Sequence, residues 1–78
     1  MAQNSTFSVI FGLQPEGGFT VLVPALPEIV KEGDTEEEAL AMAEDAIRLV
    51  LEDRAARGED IPAGSSTRIR EVKVTIAA

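Results

Sequence analysis

The stretch that most restricts what this chain can fold into runs from Gly33 to Gly58, GDTEEEALAMAEDAIRLVLEDRAARG, because both ends of a helix are written into it. Thr35 is the start signal: its hydroxyl can accept from the N–H of Glu38 while the Glu38 carboxylate returns to the N–H of Thr35, a capping box. Asp34, Glu36, Glu37 and Glu38 crowd the positive end of the helix dipole, and Arg54 and Arg57 stand at the negative end. Gly58 supplies a left-handed stop. At 100° per residue, Ala39, Leu40, Ala43, Ala46, Ile47, Val50 and Leu51 fall within an arc of about 140°, the apolar stripe of a helix lying on a core. Glu37, Glu44, Asp45, Arg48 and Glu52 take the other side. Met42 and Leu49, seven residues apart, break the pattern by falling near the middle of the face expected to be wet.

A helix with one apolar stripe needs a surface to lie on, and the flanking runs supply strands. Thr6 to Leu13 alternates, with Phe7, Val9, Phe11 and Leu13 on one face and Thr6, Ser8, Ile10 and Gly12 on the other. After the turn residues Gln14 to Gly18, Phe19, Val21 and Val23 share a face opposite Thr20 and Leu22, so the two runs predict a hairpin. Pro24 and Pro27 punctuate a crossing, and a short third strand around Ile29 to Lys31 leads to the helix. The segment from Gly58 to Thr67 reads as a loop. Glu71 to Ile76 alternates again, with Val72, Val74 and Ile76 predicted inward. The order β-β-β-α-β predicts an α+β fold. A right-handed crossover through the helix would lay the last strand beside the first, giving sheet order 3-2-1-4 with the helix on one face. The open sheet face would then carry Ile10 and Leu22, a candidate surface for homo-oligomer formation.

At 78 residues this is read as one domain, 1–78, with a small core. There is no cysteine, so disulfides and thiolate metal sites are excluded. No apolar run approaches the length of a membrane span and the N-terminus lacks the pattern of a signal peptide, which makes the cytoplasm the default expectation. The net charge of −7 is unevenly placed. Residues 25–53 hold ten acids against Lys31 and Arg48, whereas residues 54–78 hold five bases against three acids. An acidic field of this kind repels phosphate and attracts basic partners, which argues against direct nucleic-acid binding.

Catalysis finds little to work with. There is no histidine and no cysteine, and the first two strands contain no acid, so the converging carboxylates of a two-metal nuclease are not offered. The acids at Asp34 to Glu38 are explained by capping without a cation, and no cofactor or metal is expected. Gly17 and Gly18 do not precede a helix and read as a hairpin turn rather than a phosphate cradle. The chain is therefore read as a binding protein, not an enzyme.

The segment GGFTVLVPALPEIVKEGDTEEEALAMAEDAI resembles the HicB family of antitoxins. The resemblance is carried by Gly18, Phe19, Val21, Pro24, Leu26, Pro27, Gly33, Asp34, Thr35, Glu38, Ala39, Ala43 and Ala46, and above all by a Pro-x-Leu-Pro turn at fixed distance from Gly-Asp-Thr. Val23, Ala25, Glu28 and Ile29 depart from the family pattern, standing for an aromatic, an aspartate, a glycine and a cysteine. The resemblance implies a partial ribonuclease H-like fold of order β-β-β-α-β. It further implies that the chain neutralises a small basic messenger-RNA-cleaving ribonuclease of the HicA kind by protein–protein occlusion. Many members carry a further DNA-binding domain, and with the chain ending two residues after its last strand none is expected here. A stand-alone homo-oligomeric domain of unknown ligand is the alternative. The residues expected to meet the partner are Glu37, Met42, Asp45, Leu49 and Glu52, an apolar pair set among acids.

Overall fold

The computed structural model describes residues 5–62, 64 and 68–77. Three strands, β1 (Ile10–Leu13), β2 (Phe19–Leu22) and β3 (Val30–Gly33), precede one helix, α1 (Glu36–Ala56). The sheet is antiparallel throughout and its order is β1-β2-β3. Ile10 pairs with Leu22 and Leu13 with Phe19 across the hairpin, and Phe19 pairs with Gly33 and Leu22 with Val30 on the other side. The hairpin turn is closed by hydrogen bonds from the Gln14 N–H to the Gly18 carbonyl (3.1 Å) and from the Gly17 N–H to the Gln14 carbonyl (3.0 Å). On the open sheet face the Gln14 amide donates to Thr20 Oγ1 (2.7 Å) and to Glu32 Oε1 (2.8 Å). One side chain thus ties the turn to both neighbouring strands.

The helix ends follow the sequence closely. Thr35 is the N-cap in extended conformation, and the Glu38 N–H donates to its Oγ1 at 3.1 Å, one half of the predicted box. At the other end Gly58 adopts φ +72°, a conformation glycine takes without a Cβ clash. Its N–H reaches the Ala55 carbonyl (3.1 Å) and the Glu59 N–H reaches that of Arg54 (2.9 Å), the paired bonds of a Schellman stop.

The core is small and built on alanine. Val21, Val23, Leu26, Ile29, Ala39 and Ala43 are buried, with Phe7, Val9, Phe11, Phe19, Ala46, Ile47 and Val50 packed partly buried around them. The rings of Phe11 and Phe19 meet edge to face, with centroids 6.4 Å apart. Ala39 and Ala43, with no side chain beyond Cβ, bring the helix backbone down onto β2 and β3. Leu26 is fully buried, although the segment between Pro24 and Pro27 reads from sequence as a mere crossing. Two successive turns, Leu26 N–H to Val23 carbonyl and Ile29 N–H to Leu26 carbonyl, both 2.9 Å, roll that segment under the helix and point Leu26 inward.

Four expectations change. The first ladder begins at Ile10 rather than Thr6, because the three-strand pairing reaches no further, although Phe7 and Val9 keep their predicted inward face. The third strand lies at Val30–Gly33, later than Ile29 to Lys31, since Ile29 is still held by the preceding turn. Leu40, predicted in the buried stripe, is 46% exposed, and Leu13 is exposed beyond the edge of the helix. Finally, Glu71 to Ile76 belongs to no ladder among the described residues, and Val72, Val74 and Ile76 face solvent instead of a core. Among the described residues of one copy no strand lies beside them, and an alternating face has nothing to close on.

Candidate interaction surface

Because only small residues bring the helix onto the sheet, it stands as a ridge with a cleft along each flank. On the β3 side a cleft of about 390 Å³ is lined by Glu28, Ile29, Val30, Lys31, Met42, Asp45, Ala46, Leu49 and Val50. Met42 is 41% exposed and Leu49 58%. The two therefore do not stand in the middle of a wet face, as helical phase alone had placed them. They form the helix wall of a groove whose other wall is the last strand of the sheet. Val30 borders the cleft at the start of β3, but it pairs with Leu22 and so turns its side chain, 55% exposed, to the helix-free sheet face; the apolar lining of the groove comes from Ile29 and from the helix. Lys31, Glu28 and Asp45 punctuate its length. At one end Arg54 donates to Glu28 Oε2 at 3.2 Å, joining the last helical turns to the segment that leads into β3.

The predicted partner residues are only partly brought together. Met42, Asp45 and Leu49 share the β3 cleft. Glu52 lines the opposite flank with Ser5, Phe7, Glu44, Ile47, Arg48 and Leu51. Glu37 is exposed in the first helical turn. The acids around the groove are not all free: Arg48 bridges Glu44 and Asp45, each at 3.5 Å, and Arg57 holds Asp53 at 2.7 Å. Val30, Ile29 and Glu28 belong to this surface and were not anticipated in it. The signal that could have found them is adjacency: a third strand leading directly into the helix must lie beside it.

Ile10 and Leu22 are direct cross-strand partners on the sheet face away from the helix. Leu22 is 43% exposed and Ile10 is half-buried. With Val23, Pro24, Pro27 and Ile29 they line a shallow apolar depression of about 190 Å³. Among the described residues no group of three or more acidic side chains is arranged to hold a metal ion. No helix of the described residues is long and apolar enough to cross a membrane.

The family model of the HicB-like antitoxin of bacterial toxin-antitoxin systems matches residues 7–75. The chain belongs to that family. Among curated proteins it is similar to Antitoxin HicB 2 of Photorhabdus laumondii subsp. laumondii, 38% identical over 80 residues that span all of this chain and 57% of the relative. It is also similar to Antitoxin HicB 1 of the same organism, 40% identical over 60 residues, 77% of this chain and 39% of that protein. A third relative, UPF0150 protein Ta0767 of Thermoplasma acidophilum, is 35% identical over 63 residues, 81% of this chain and 91% of its own length. The chain thus spans about half the length, or less, of the two named antitoxins. No solved structure matches it. The matched span of the HicB-like chain holds all three strands and the helix, so both helix flanks lie within the family's shared part.

Proposed function

We propose that this HicB-like chain is a binding protein without catalytic activity that neutralises a small basic, messenger-RNA-cleaving ribonuclease of the HicA kind by occluding it. The observation that carries this reading is the groove between α1 and β3. Met42, Leu49, Val50 and Ile29 give it an apolar lining, and Asp45 and Glu28 set negative charge along it. A nuclease that grips RNA must present a basic surface, and residues 25–53 carry the excess of acids that would steer it. Speed of encounter comes from that field, whereas residence comes from desolvated apolar contact in a ring of polar groups. Glu37 and Glu52 contribute in this reading to steering rather than to the contact itself, since neither lines the groove.

The β-β-β-α order and the family membership together support a partial ribonuclease H-like domain whose full sheet order is 3-2-1-4, the outer position beside β1 being taken by a strand of residues 71–76 from this or a second copy. The chain acts as a single HicB-like domain, in the cytoplasm, with no part in binding nucleic acid directly. Self-association is the second element of the reading. The Ile10–Leu22 pair on the helix-free sheet face favours contact between copies, and it also keeps the alternative of a stand-alone oligomeric domain in play. Co-expression with the basic protein of the adjacent reading frame tests the leading function. Relief of growth arrest by the wild-type chain but not by Leu49→Asp is expected, and arrest that persists with the wild-type chain would overturn it.

A further inference from the structure

The helix flank opposite the groove holds an unfilled position, and the chain carries an unfilled strand. Along this flank Phe7 and Val9 form one wall and Leu40, Ile47 and Leu51 the other, around clefts of about 440 and 240 Å³. Among the described residues the outer edge of β1 has no ladder partner. Upstream of it lies an isolated parallel bridge between Thr6 and Gly64. A sheet edge beside an apolar trough under a helix is a template for one more strand. Meanwhile Val72, Val74 and Ile76, which alternate as the inward face of a strand must, are 84%, 74% and 85% exposed. Three large apolar side chains in succession on one face at such exposure are not left bare in a stable protein in water.

The segment does not occupy the trough of its own copy. Thr6 and Gly64 meet backbone to backbone so closely that a Cβ on Gly64 would collide with the Thr6 carbonyl oxygen, which fixes that crossing point. Beyond it the described residues 68–77 join no ladder, and Val72, Val74 and Ile76 stand exposed to solvent. The apolar triplet thus stands clear of the trough in its own copy. A neighbouring molecule has no such constraint, because its strand reaches the trough from outside.

We infer that two copies of this chain exchange their C-terminal strands, residues 71–76 of each filling the trough between β1 and α1 of the other. Val72, Val74 and Ile76 then meet Phe7, Val9, Leu40, Ile47 and Leu51, and the exposure of Leu40 is explained as a contact waiting for its partner. Charge agrees with the assignment. The segment leading into the exchanged strand carries Arg68 and Arg70, the strand itself balances Lys73 against Glu71, and the receiving flank presents Glu44 and Glu52 at its rim. Reciprocal exchange closes on itself as a two-fold dimer, so association stops at two rather than growing into fibres. It leaves the groove at β3 open on each copy. The inference rests on the self-association proposed above but assigns it to the C-terminal segment rather than to the Ile10–Leu22 face, and it does not depend on the identity of any ribonuclease.

Because the chain has no cysteine, an engineered pair reports the contact cleanly. The full chain carrying Ile47→Cys with Val74→Cys, and separately with Val72→Cys, is oxidised and run without reductant. At least one pair is expected to give a disulfide-linked dimer as its main product. A monomer in both, whether linked within itself or not linked, overturns the exchange. Light scattering on Val72→Asp with Val74→Asp is expected to show half the wild-type mass with the helical circular dichroism retained. If that variant keeps the dimer mass while Ile10→Lys with Leu22→Lys loses it, copies associate through the open sheet face and strand exchange is wrong. A monomeric wild-type chain at micromolar concentration would sink both readings.

Discussion

Gly33 and Ala39 touch backbone to backbone: a Cβ placed on Gly33 would lie 2.6 Å from the Ala39 nitrogen and 3.0 Å from its Cα. The last residue of β3 and the first buried residue of α1 thus set how low the helix sits, and neither can grow without moving it.

Gly33→Ala is accordingly expected to destabilise by about 1–3 kcal/mol, the usual range for forcing a methyl group into a filled space. The contact is with helix backbone, which cannot rotate away. Urea unfolding checks it, and an unchanged or raised midpoint would show that the helix rides higher than described.

Leu26→Ala is expected to cost about 2–5 kcal/mol, since the side chain is fully buried and its loss leaves a cavity at the centre of a very small core. Ile47→Ala, only half-buried in a single copy, should cost less. Glu44→Ala should cost at most a few tenths of a kcal/mol, because its pairing with Arg48 is exposed. The ranking of the three urea midpoints is the test; Leu26→Ala costing less than Ile47→Ala would mean that the proline-bounded turn does not tuck its leucine under the helix.

Thr35→Ala removes the acceptor of the Glu38 N–H and is expected to cost about 1 kcal/mol, with Thr35→Asp restoring most of it. Adding magnesium or calcium at matched ionic strength should leave the melting midpoint of the wild-type chain where it is. A rise of many degrees with either cation would assign the acids at the helix start to a metal instead.

Leu49→Asp is expected to raise the dissociation rate of the proposed ribonuclease partner at least tenfold without loss of helical signal, while neutralising Glu37, Asp45 and Glu52 together should chiefly slow association and flatten its salt dependence. Stopped-flow or surface-based kinetics separate the two effects. Wild-type dissociation from Leu49→Asp would move the partner off the β3 groove.

The helix was legible in the sequence to within a residue because its ends are local chemistry: a threonine hydroxyl, a glycine at φ +72°, acids and bases near their own backbone. The faces of β1 and β2 were legible because alternation survives whatever the strands pack on. Leu26 was not, since two prolines advertise a turn but not its direction. Met42 and Leu49 were found as anomalies and misplaced, because helical phase gives angles about an axis while the sheet decides which angles are flanks. The expected fourth strand illustrates the converse. Its residues announce that they will be covered, but a pattern along one chain carries no label for the molecule that covers them.

The two alanines that seat the helix have a consequence for how the surfaces can change over time. Ala39 and Ala43 are the keel on which the ridge rests, and the depth of the valley on each side is measured from that keel. A bulkier residue at Ala43 would raise the ridge and make both valleys shallower in one stroke, weakening whatever binds along β3 and whatever binds along β1 together. The two surfaces are chemically separate, but they share one foundation and are expected to be inherited, tuned and lost as a pair.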